Sequence, residues 1–457
     1  MIVTLEHLNL SYGKTKIFDD LTLTIQENSF NLLIGPSGIG KSTLLKIIAG
    51  LFPQLKGTVL VDNTAISQLP ANQRAQYVGF LFQDPDTQFA MPTPFEELTF
   101  TLENLQIPSD EIAERATAAL KFVGIKQLAN QQMNTLSGGE KQKVALAIIV
   151  AMKSKLLLLD EPFANVDMTA RQEILKKIKT LQADGVSILV ADHDFSGYSD
   201  IVNNVWEIHN HKISALDHTQ FIQRLPKPQH HTFKTISEGV FELNHFKLLN
   251  EKKTLITVPQ LLIGAPGITL LTGANGSGKS TLFNALTKLK SFDGQITYQS
   301  KNIQKLKVAQ YVQEVALSFQ SPERQFLRMT VDEELTLSYQ HSQQRAFWSP
   351  QKIDHFLTRL NLLHLRQHVV YQLSGGQKKK LQLLLMLIVG TPMLLLDEPI
   401  AGLDVASVRV VAEILQELST QGKQRFIIIS HQLDALLPVV NYHLHLDHQT
   451  LYYQEQF

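Results

Sequence analysis

The chain has 457 residues, 44% of them hydrophobic, so it is long enough to form at least two well-packed domains. Its 42 basic and 42 acidic residues balance, which excludes a global attraction to nucleic acid or to an anionic membrane surface. It contains no cysteine, which excludes disulfides and cysteine-ligated metal sites. We also expect no membrane span, because no stretch reaches the roughly 18–20 apolar residues required, and no secretory signal.

The first distinctive motif is Gly-Pro-Ser-Gly-Ile-Gly-Lys-Ser at residues 35–42, which fits the phosphate-binding pattern G-x-x-x-x-G-K-[ST]. An apolar run precedes it and a helix-forming run follows it, as this motif requires. Its glycines would let the backbone wrap a triphosphate, while Lys41 would reach the β- and γ-phosphates and Ser42 would ligate Mg²⁺. The residues expected to bind nucleotide are Gly35, Gly38, Gly40, Lys41, Ser42 and Thr43.

A second motif opens a lysine-rich helical pattern with Ser137, Gly138 and Gly139. A serine followed by two glycines at a helix start can bind an anion, although such a serine can also be a simple N-cap after a turn. Farther along, the apolar run 156–159 predicts a strand that is buried on both faces. It ends in Asp160, which could help to hold Mg²⁺, and Glu161, which could polarise an attacking water. The alternative for this acidic pair is turn capping.

Each of these motifs recurs 237 or 238 residues later, which predicts two copies of one module. The second set comprises Gly273, Gly276, Gly278, Lys279, Ser280, Thr281, Ser374, Gly375, Gly376, Asp397 and Glu398. We predict a first domain at 1–222, a linker rich in proline, glutamine and histidine at 223–237 and a second domain at 238–457. The segments from about 94 to 123 and from 330 to 363 have helical patterns, and 187–191 and 426–429 resemble buried parallel strands.

With these motifs in register, the sequence resembles the ATP-binding-cassette (ABC) ATPases that carry two nucleotide-binding domains, over almost its whole length. The resemblance implies an α/β fold of two tandem P-loop NTPase domains, each with a RecA-like core, a helical subdomain and an antiparallel β subdomain. It implies ATP and Mg²⁺ as cofactors. It also implies that the serine-glycine-glycine motif of one domain closes over ATP held by the phosphate loop of the other.

The same resemblance assigns further residues. Gln83 and Gln320 would ligate Mg²⁺ and sense a transporter subunit, while His193 and His431 would contact the γ-phosphate. Tyr12 would stack on adenine, with Leu248 or Leu249 at the corresponding place in the second copy. Asp167 and Asp404 would form inter-domain aspartate loops. No catalytic group is missing from either copy, so we expect both copies to hydrolyse ATP.

The stretch after each glutamine contains a proline turn, a second glutamine, a phenylalanine and then an acidic helix, at 83–103 and 320–335. This pattern resembles the ATPases of energy-coupling-factor transporters and their cobalt and nickel relatives. It implies uptake of a vitamin, a vitamin precursor or a transition-metal ion. The partners would be an integral membrane subunit, contacted near Gln83–Phe95 and Gln320–Met329, and a separate substrate-binding membrane subunit. The chain would lie peripherally on the cytoplasmic face of the membrane.

Two alternatives remain from the sequence. Tandem ABC ATPases that act on ribosomes or DNA usually have a long charged linker or zinc-binding insertions, whereas this chain has a short linker and no cysteine. We therefore expect no nucleic-acid partner. The ATPase of a drug or peptide exporter is the other alternative, and the two-glutamine pattern disfavours it.

Overall fold

The computed structural model describes residues 2–12, 15–36, 38–52, 56–83, 85–163, 166, 168–192, 195, 197–225, 231–250, 253–422, 424–433 and 436–456. The side chains of residues 12, 15, 168 and 169 are not among those described. The chain divides into two compact units, Met1–Lys227 and Pro228–Phe457. No helix in the described part is long and apolar enough to cross a membrane.

In the first unit, strands and helices alternate after an N-terminal hairpin. The strands are β1 (Val3–Tyr12), β2 (Thr15–Ile25), β3 (Phe30–Ile34), β4 (Lys56–Val61), β5 (Val78–Leu81), β6 (Leu156–Asp160), β7 (Ser187–Ala191), β8 (Asn204–His209) and β9 (Lys212–Leu216). The helices are α1 (Lys41–Ile48), α2 (Ala71–Tyr77), α3 (Pro94–Asn104), α4 (Ser109–Phe122), α5 (Gly138–Met152), α6 (Met168–Ala183) and α7 (His218–Arg224).

Two sheets form the first unit. One is an antiparallel sheet in the order β2-β1-β4, and the other is a six-stranded sheet in the order β5-β6-β7-β3-β8-β9. In the larger sheet every pairing is parallel except β8 with β9. Leu157 and Leu159 of β6 face a core shared with the helices α3 to α5, whereas Leu156 and Leu158 face a core shared with the antiparallel sheet. Both faces are covered, which explains why β6 is a continuous apolar run.

The second unit repeats this arrangement. Its strands are β10 (Phe241–Asn250), β11 (Lys253–Ile263), β12 (Ile268–Gly273), β13 (Asp293–Tyr298), β14 (Lys301–Asn302), β15 (Val315–Ser318), β16 (Met393–Asp397), β17 (Arg425–Ile429), β18 (Tyr442–Asp447) and β19 (Thr450–Gln454). Its helices are α8 (Lys279–Leu286), α9 (Val308–Tyr311), α10 (Val331–Gln340), α11 (Pro350–Arg359), α12 (Gly375–Val389) and α13 (Val405–Thr420). The sheets have the orders β11-β10-β13-β14 and β15-β16-β17-β12-β18-β19.

The predicted fold class is confirmed in both units, each of which has a mainly parallel sheet, a helical part and an antiparallel part. The four apolar runs predicted as buried strands are β6, β7, β16 and β17. The predicted linker includes residues that pair with the second unit: the N–H groups of Phe233 and Lys234 donate to the carbonyls of Glu455 and Asn441, both at 2.9 Å. The domain boundaries themselves stay a prediction.

The two large sheets differ in the polar bonds beside β3 and β12. In the first, Oδ1 of buried Asn31 accepts from Trp206 Nε1 at 3.1 Å and from Asn204 Nδ2 at 3.2 Å. In the second, Oγ1 of Thr272 lies 2.7 Å from both His443 Nε2 and His445 Nδ1. The β8 and β18 strands are thus joined to their neighbours by different side chains.

Candidate functional site

Each phosphate loop joins a central strand to a helix, β3 to α1 and β12 to α8. The residue before each helix is a glycine with left-handed backbone, Gly40 at φ 110° and Gly278 at φ 112°. A Cβ atom on Gly40 would lie 2.8 Å from Cγ2 of Ile17, so a side chain there is excluded by space as well as by conformation. The loops therefore have the backbone that a phosphate cradle requires.

The loop lysines fold back over their own loops. Lys41 Nζ donates to the carbonyls of Gly35 at 2.8 Å and Pro36 at 3.0 Å. Lys279 Nζ makes the equivalent bonds to Gly273 at 2.6 Å and Ala274 at 2.9 Å. Both ammonium groups are thus held at the mouth of the loop, where a phosphate chain would be cradled.

In each unit two of the three predicted magnesium residues, the serine and the aspartate, come together. Ser42 Oγ donates to Asp160 Oδ1 at 3.0 Å, and Ser280 bonds to Asp397 in the same way. Burial raises the pKa of Asp160 to about 6, with the Ser42 hydrogen bond opposing it, and burial also raises the pKa of Asp397. A hydroxyl and a carboxylate are hard oxygen ligands of the kind Mg²⁺ prefers, so these residues fit the ion.

The glutamate after each strand has an unusual backbone, with φ 45° at Glu161 and φ 52° at Glu398. Their N–H groups donate to the carbonyls of Ala191 at 2.8 Å and Ile429 at 3.0 Å, which ties each turn to the neighbouring strand. In the first unit Glu161 Oε2 accepts from Gln83 Nε2 at 2.7 Å, so these two predicted residues are in direct contact.

In the second unit Glu398 is buried and has different neighbours. His431 Nε2 lies 3.5 Å from Glu398 Oε1. Lys379 Nζ donates to the backbone carbonyl of Glu398 at 2.6 Å. Burial raises the pKa of Glu398, and the charge of Lys379 opposes that rise. Motif spacing does not single out Lys379, because its contact with Glu398, 19 residues farther on, forms only in the folded chain.

For three predicted residues the structure does not describe the side chain, and a fourth is buried in the core. His193 and Asp167 lie outside the described residues, and the side chain of Tyr12 is not described. Leu248 is fully buried in the core, so it cannot stack on a nucleotide, and the strand-end place that Tyr12 has in β1 is taken by Asn250 in β10. Leu249 is half-buried, so of the two predicted counterparts of Tyr12 it alone stays a prediction.

The serine-glycine-glycine motifs form helix caps. Ser137 and Ser374 are the N-caps of α5 and α12, each in a capping box with the residue three positions on, Glu140 or Gln377. The following glycines form the first turns of these helices. The N-cap interpretation is thus confirmed, whereas nucleotide binding by these motifs stays a prediction. Asp404 likewise caps α13, accepting from Ser407 N at 2.7 Å.

The second glutamine of each repeated pattern has a structural role that its spacing alone did not reveal. Gln88 Oε1 accepts from Phe82 N at 3.2 Å, and its Nε2 donates to the carbonyl of Phe80 at 3.0 Å. Gln325 makes the matching bonds to Phe319 N at 2.9 Å and Leu317 O at 3.3 Å. This glutamine clasp fixes the chain on both sides of Gln83 and Gln320.

A buried glutamate then shapes the loop beyond each clasp. Glu97 Oε2 accepts from the N–H groups of Ala90 at 2.8 Å and Met91 at 2.7 Å. Glu334 Oε1 accepts from Leu327 N and from Arg328 N. Both carboxylates are only 3% exposed, and their acceptor capacity is used on the loop backbone. These bonds therefore fix the loop backbone next to each buried glutamate.

The fold and these sites define a pair of P-loop nucleotide-binding domains. The sequence profile of the family described as "ABC transporter" matches residues 18–164 and 260–401. The chain belongs to this family and carries two tandem ABC ATPase domains. Domains of this family bind ATP, generally with Mg²⁺, and hydrolyse it.

Known relatives match nearly the whole chain. "Putative HMP/thiamine import ATP-binding protein YkoD" of Bacillus subtilis is 30% identical, covering 95% of this chain and 88% of the relative. "Putative ABC transporter ATP-binding protein SSO2030" of Saccharolobus solfataricus is 29% identical, covering 94% and 89%.

Solved structures share the fold. The structure titled "Model of ribosome-bound archaeal Pelota and ABCE1" matches with a TM-score of 0.74 at 18% identity, over 99% of this chain and 78% of that one. "RNase-L Inhibitor" matches with a TM-score of 0.69 at 19% identity, over 96% and 87%. At such identity the likeness concerns the fold alone.

Proposed function

We propose that the chain is the ATP-hydrolysing subunit of an energy-coupling-factor type uptake transporter for a vitamin, a vitamin precursor or a transition-metal ion. The observation that carries this proposal is an exposed apolar pair beside Gln320. Leu327 is 76% exposed and Met329 is 60% exposed, on the loop that Glu334 holds in place. Exposure of apolar side chains to water is unfavourable, so an exposed apolar pair indicates a surface that a partner protein covers.

An apolar cavity continues this surface into the helical part of the second unit. It has a volume of about 280 Å³, and its lining includes Phe326, Leu327, Leu337, Leu385 and Met386. Phe326 itself is buried in the core, so it is not available for contact with a partner. A groove of this kind suits the apolar face of a helix, such as one from an integral membrane subunit.

In the first unit the equivalent loop is less exposed. Phe89, Met91 and Phe95 are half-buried, while Ala90 and Pro92 are exposed. We infer that both loops contact membrane subunits, within Gln83–Phe95 and Gln320–Met329, and that the second offers the larger apolar area. The chain would then be peripheral, on the cytoplasmic face of the membrane, with the cargo recognised by a separate subunit.

In each unit the residues have separate tasks in ATP hydrolysis. The phosphate-loop lysine and backbone would bind the triphosphate, and the Ser–Asp pair with Gln83 or Gln320 would hold Mg²⁺, which neutralises phosphate charge when bound. Glu161 and Glu398 would orient and polarise the attacking water, and His193 and His431 would contact the γ-phosphate. Movement of the glutamine loops would pass the nucleotide state to the partner.

The printed name of the Bacillus subtilis relative, an import ATP-binding protein, supports transport. The ribosome-bound structure shares only the fold at 18% identity, so its partner gives no argument about this chain. The balanced charge of 42 basic and 42 acidic residues likewise offers nothing for an RNA partner. Recovery of ribosomes is therefore the result that would contradict the proposal in the test described next.

The test is to substitute Leu327→Asp together with Met329→Asp in the full chain. The matched control is Val308→Asp with Val312→Asp, two residues at the start and the C-cap of helix α9 in the same unit, which are 62% and 52% exposed. Tagged chains are purified from detergent-solubilised membranes. We expect the parent and the control to recover an integral membrane protein, and the Leu327/Met329 variant to lose it while retaining ATP hydrolysis.

Two results would contradict the proposal. One is recovery of ribosomes without any membrane protein by the parent chain. The other is undiminished recovery of the membrane protein by the Leu327/Met329 variant, which would place the partner surface elsewhere.

A further inference from the structure

The two units carry different residues at one helix position near the glutamates proposed to activate water. The helices α5 and α12 both begin at the glycine after the capping serine, and the fifth residue of each is Gln142 or Lys379. Because the two residues hold the same position in equivalent helices, their side chains extend from the same helix face. The repeat has therefore placed an amide in one unit and a cation in the other.

Lys379 reaches the turn that carries Glu398. Its Nζ donates to the carbonyl of Glu398 at 2.6 Å, and its charge interacts with the carboxylates of Glu398 and Asp397. The φ of Glu398, 52°, is unfavourable for a residue with a side chain, so a bond to its carbonyl helps to hold this turn. A charge-assisted bond to the carbonyl fixes the peptide from which the Glu398 side chain extends.

In the first unit the glutamate is held in another way. Gln83 Nε2 donates to Glu161 Oε2 at 2.7 Å, so the carboxylate itself is gripped. Gln142 is buried, and its Nε2 has no hydrogen-bond partner among the residues that the structure describes. The shorter amide thus does not take over the contact that Lys379 makes.

We propose that Lys379 is a positioning residue for ATP hydrolysis in the second unit, where it holds Glu398 through the backbone carbonyl and balances its charge. The inference rests on the proposed role of Glu398 in activating water. The two ATP sites would then differ in one contact of the glutamate: Gln83 binds its carboxylate in the first unit, whereas Lys379 binds its backbone carbonyl in the second.

The test compares Lys379→Gln, which installs the residue of the first unit, with Lys379→Arg, which retains a cation and its donors. Lys378→Gln is the matched control, because this neighbouring lysine pairs with Glu323 instead, at 3.0 Å. The values of kcat and KM for ATP and the thermal unfolding midpoint are measured for each full-length chain, with Glu398→Gln alongside. Loss of a group that orients a functional residue commonly costs on the order of tenfold in activity.

We expect Lys379→Gln to remove most of the turnover that Glu398→Gln removes, because only the second unit is affected, with KM and the unfolding midpoint unchanged. We expect Lys379→Arg to recover most of kcat. The inference is overturned if Lys379→Gln keeps the parental kcat while Glu398→Gln is slow. It is also overturned if both Lys379 variants lose kcat, KM and thermal stability together, which would indicate a structural role only. If Glu398→Gln retains parental turnover, the proposed role of Glu398 fails, and the inference fails with it.

Discussion

His443 is a buried histidine that the second unit keeps neutral. It is 1% exposed, its Nε2 lies 2.7 Å from the Thr272 hydroxyl, and its ring lies tilted against Phe233 with centroids 5.1 Å apart. Burial, together with the nearby His445, lowers the pKa of His443 from its ordinary value of 6.5 to about 4. The folded chain therefore takes up a proton at His443 less readily than the unfolded chain does.

This difference predicts a pH dependence of stability. Above pH 6.5 both states hold the ring neutral and stability is full; as pH falls from 6.5 towards 4, the unfolded state alone binds the proton and stability declines. His443→Val, which installs the side chain of Val205 in the first unit, should flatten this decline. His448→Asn is the control, because His448 is 95% exposed and asparagine tolerates its left-handed backbone at φ 44°. Thermal unfolding across this pH range measures both, and a decline of parental steepness in His443→Val would contradict the prediction.

At the scale of single residues, motif spacing predicted those that belong to a recognisable motif. The phosphate-loop lysines and the Ser–Asp pairs are examples. Lys379, Glu97 and Glu334 were missed, because each is an ordinary charged residue in a helical pattern until the fold brings it to a backbone group. Nothing in local sequence separates a lysine that reaches such a carbonyl from one that faces water.

Between elements, the first unit joins helix α6 to the end of β7 through a buried ion pair. Arg171 is 4% exposed, its guanidinium lies over Phe163 at 4.8 Å and Tyr198 at 5.5 Å, and its Nη2 is 3.7 Å from Asp192 Oδ2. The Tyr198 hydroxyl donates to the same carboxylate at 2.8 Å. At the matching positions the second unit has Val408 and Ser430. Equivalent positions therefore hold a buried ion pair in the first unit and uncharged side chains in the second.

We predict that Asp192→Ser alone lowers the free energy of unfolding by about 3 kcal/mol, because it leaves the Arg171 charge buried without its carboxylate. Arg171→Val combined with Asp192→Ser reproduces the pair found in the second unit and should lose less. Urea unfolding of the full chains compares the two variants. Equal losses would show that the charge is not what destabilises the single variant.

The elements themselves were largely predictable. The strands β6, β7, β16 and β17 are continuous apolar runs with polar ends, and the helical segments begin at clear caps such as Thr330. At the end of β10 the sequence left Leu248 and Leu249 open, because local pattern does not specify the register in the hairpin that buries Leu248.

For the molecule as a whole, the question is whether both units turn over ATP. Each contains the phosphate-loop lysine, the Ser–Asp pair and the glutamate with left-handed backbone. We therefore predict that Glu161→Gln and Glu398→Gln, made separately, each lower the rate of ATP hydrolysis, while nucleotide binding persists. Phosphate release and nucleotide titration give the two readouts. An unchanged rate for one variant would make the site of that unit structural.

The different polar bonds beside β3 and β12 have a consequence for how the chain reaches its fold. A polypeptide that carries the same sheet order twice can insert a strand from one copy into the other while it folds. If β18 paired with β3, His443 and His445 would face Ile34 instead of the Thr272 hydroxyl, and Trp206 and Asn204 would be withdrawn from Asn31. Each buried polar group left without its bond costs about 1–3 kcal/mol. The two sets of side chains thus favour pairing of each strand within its own copy and disfavour pairing with the other copy.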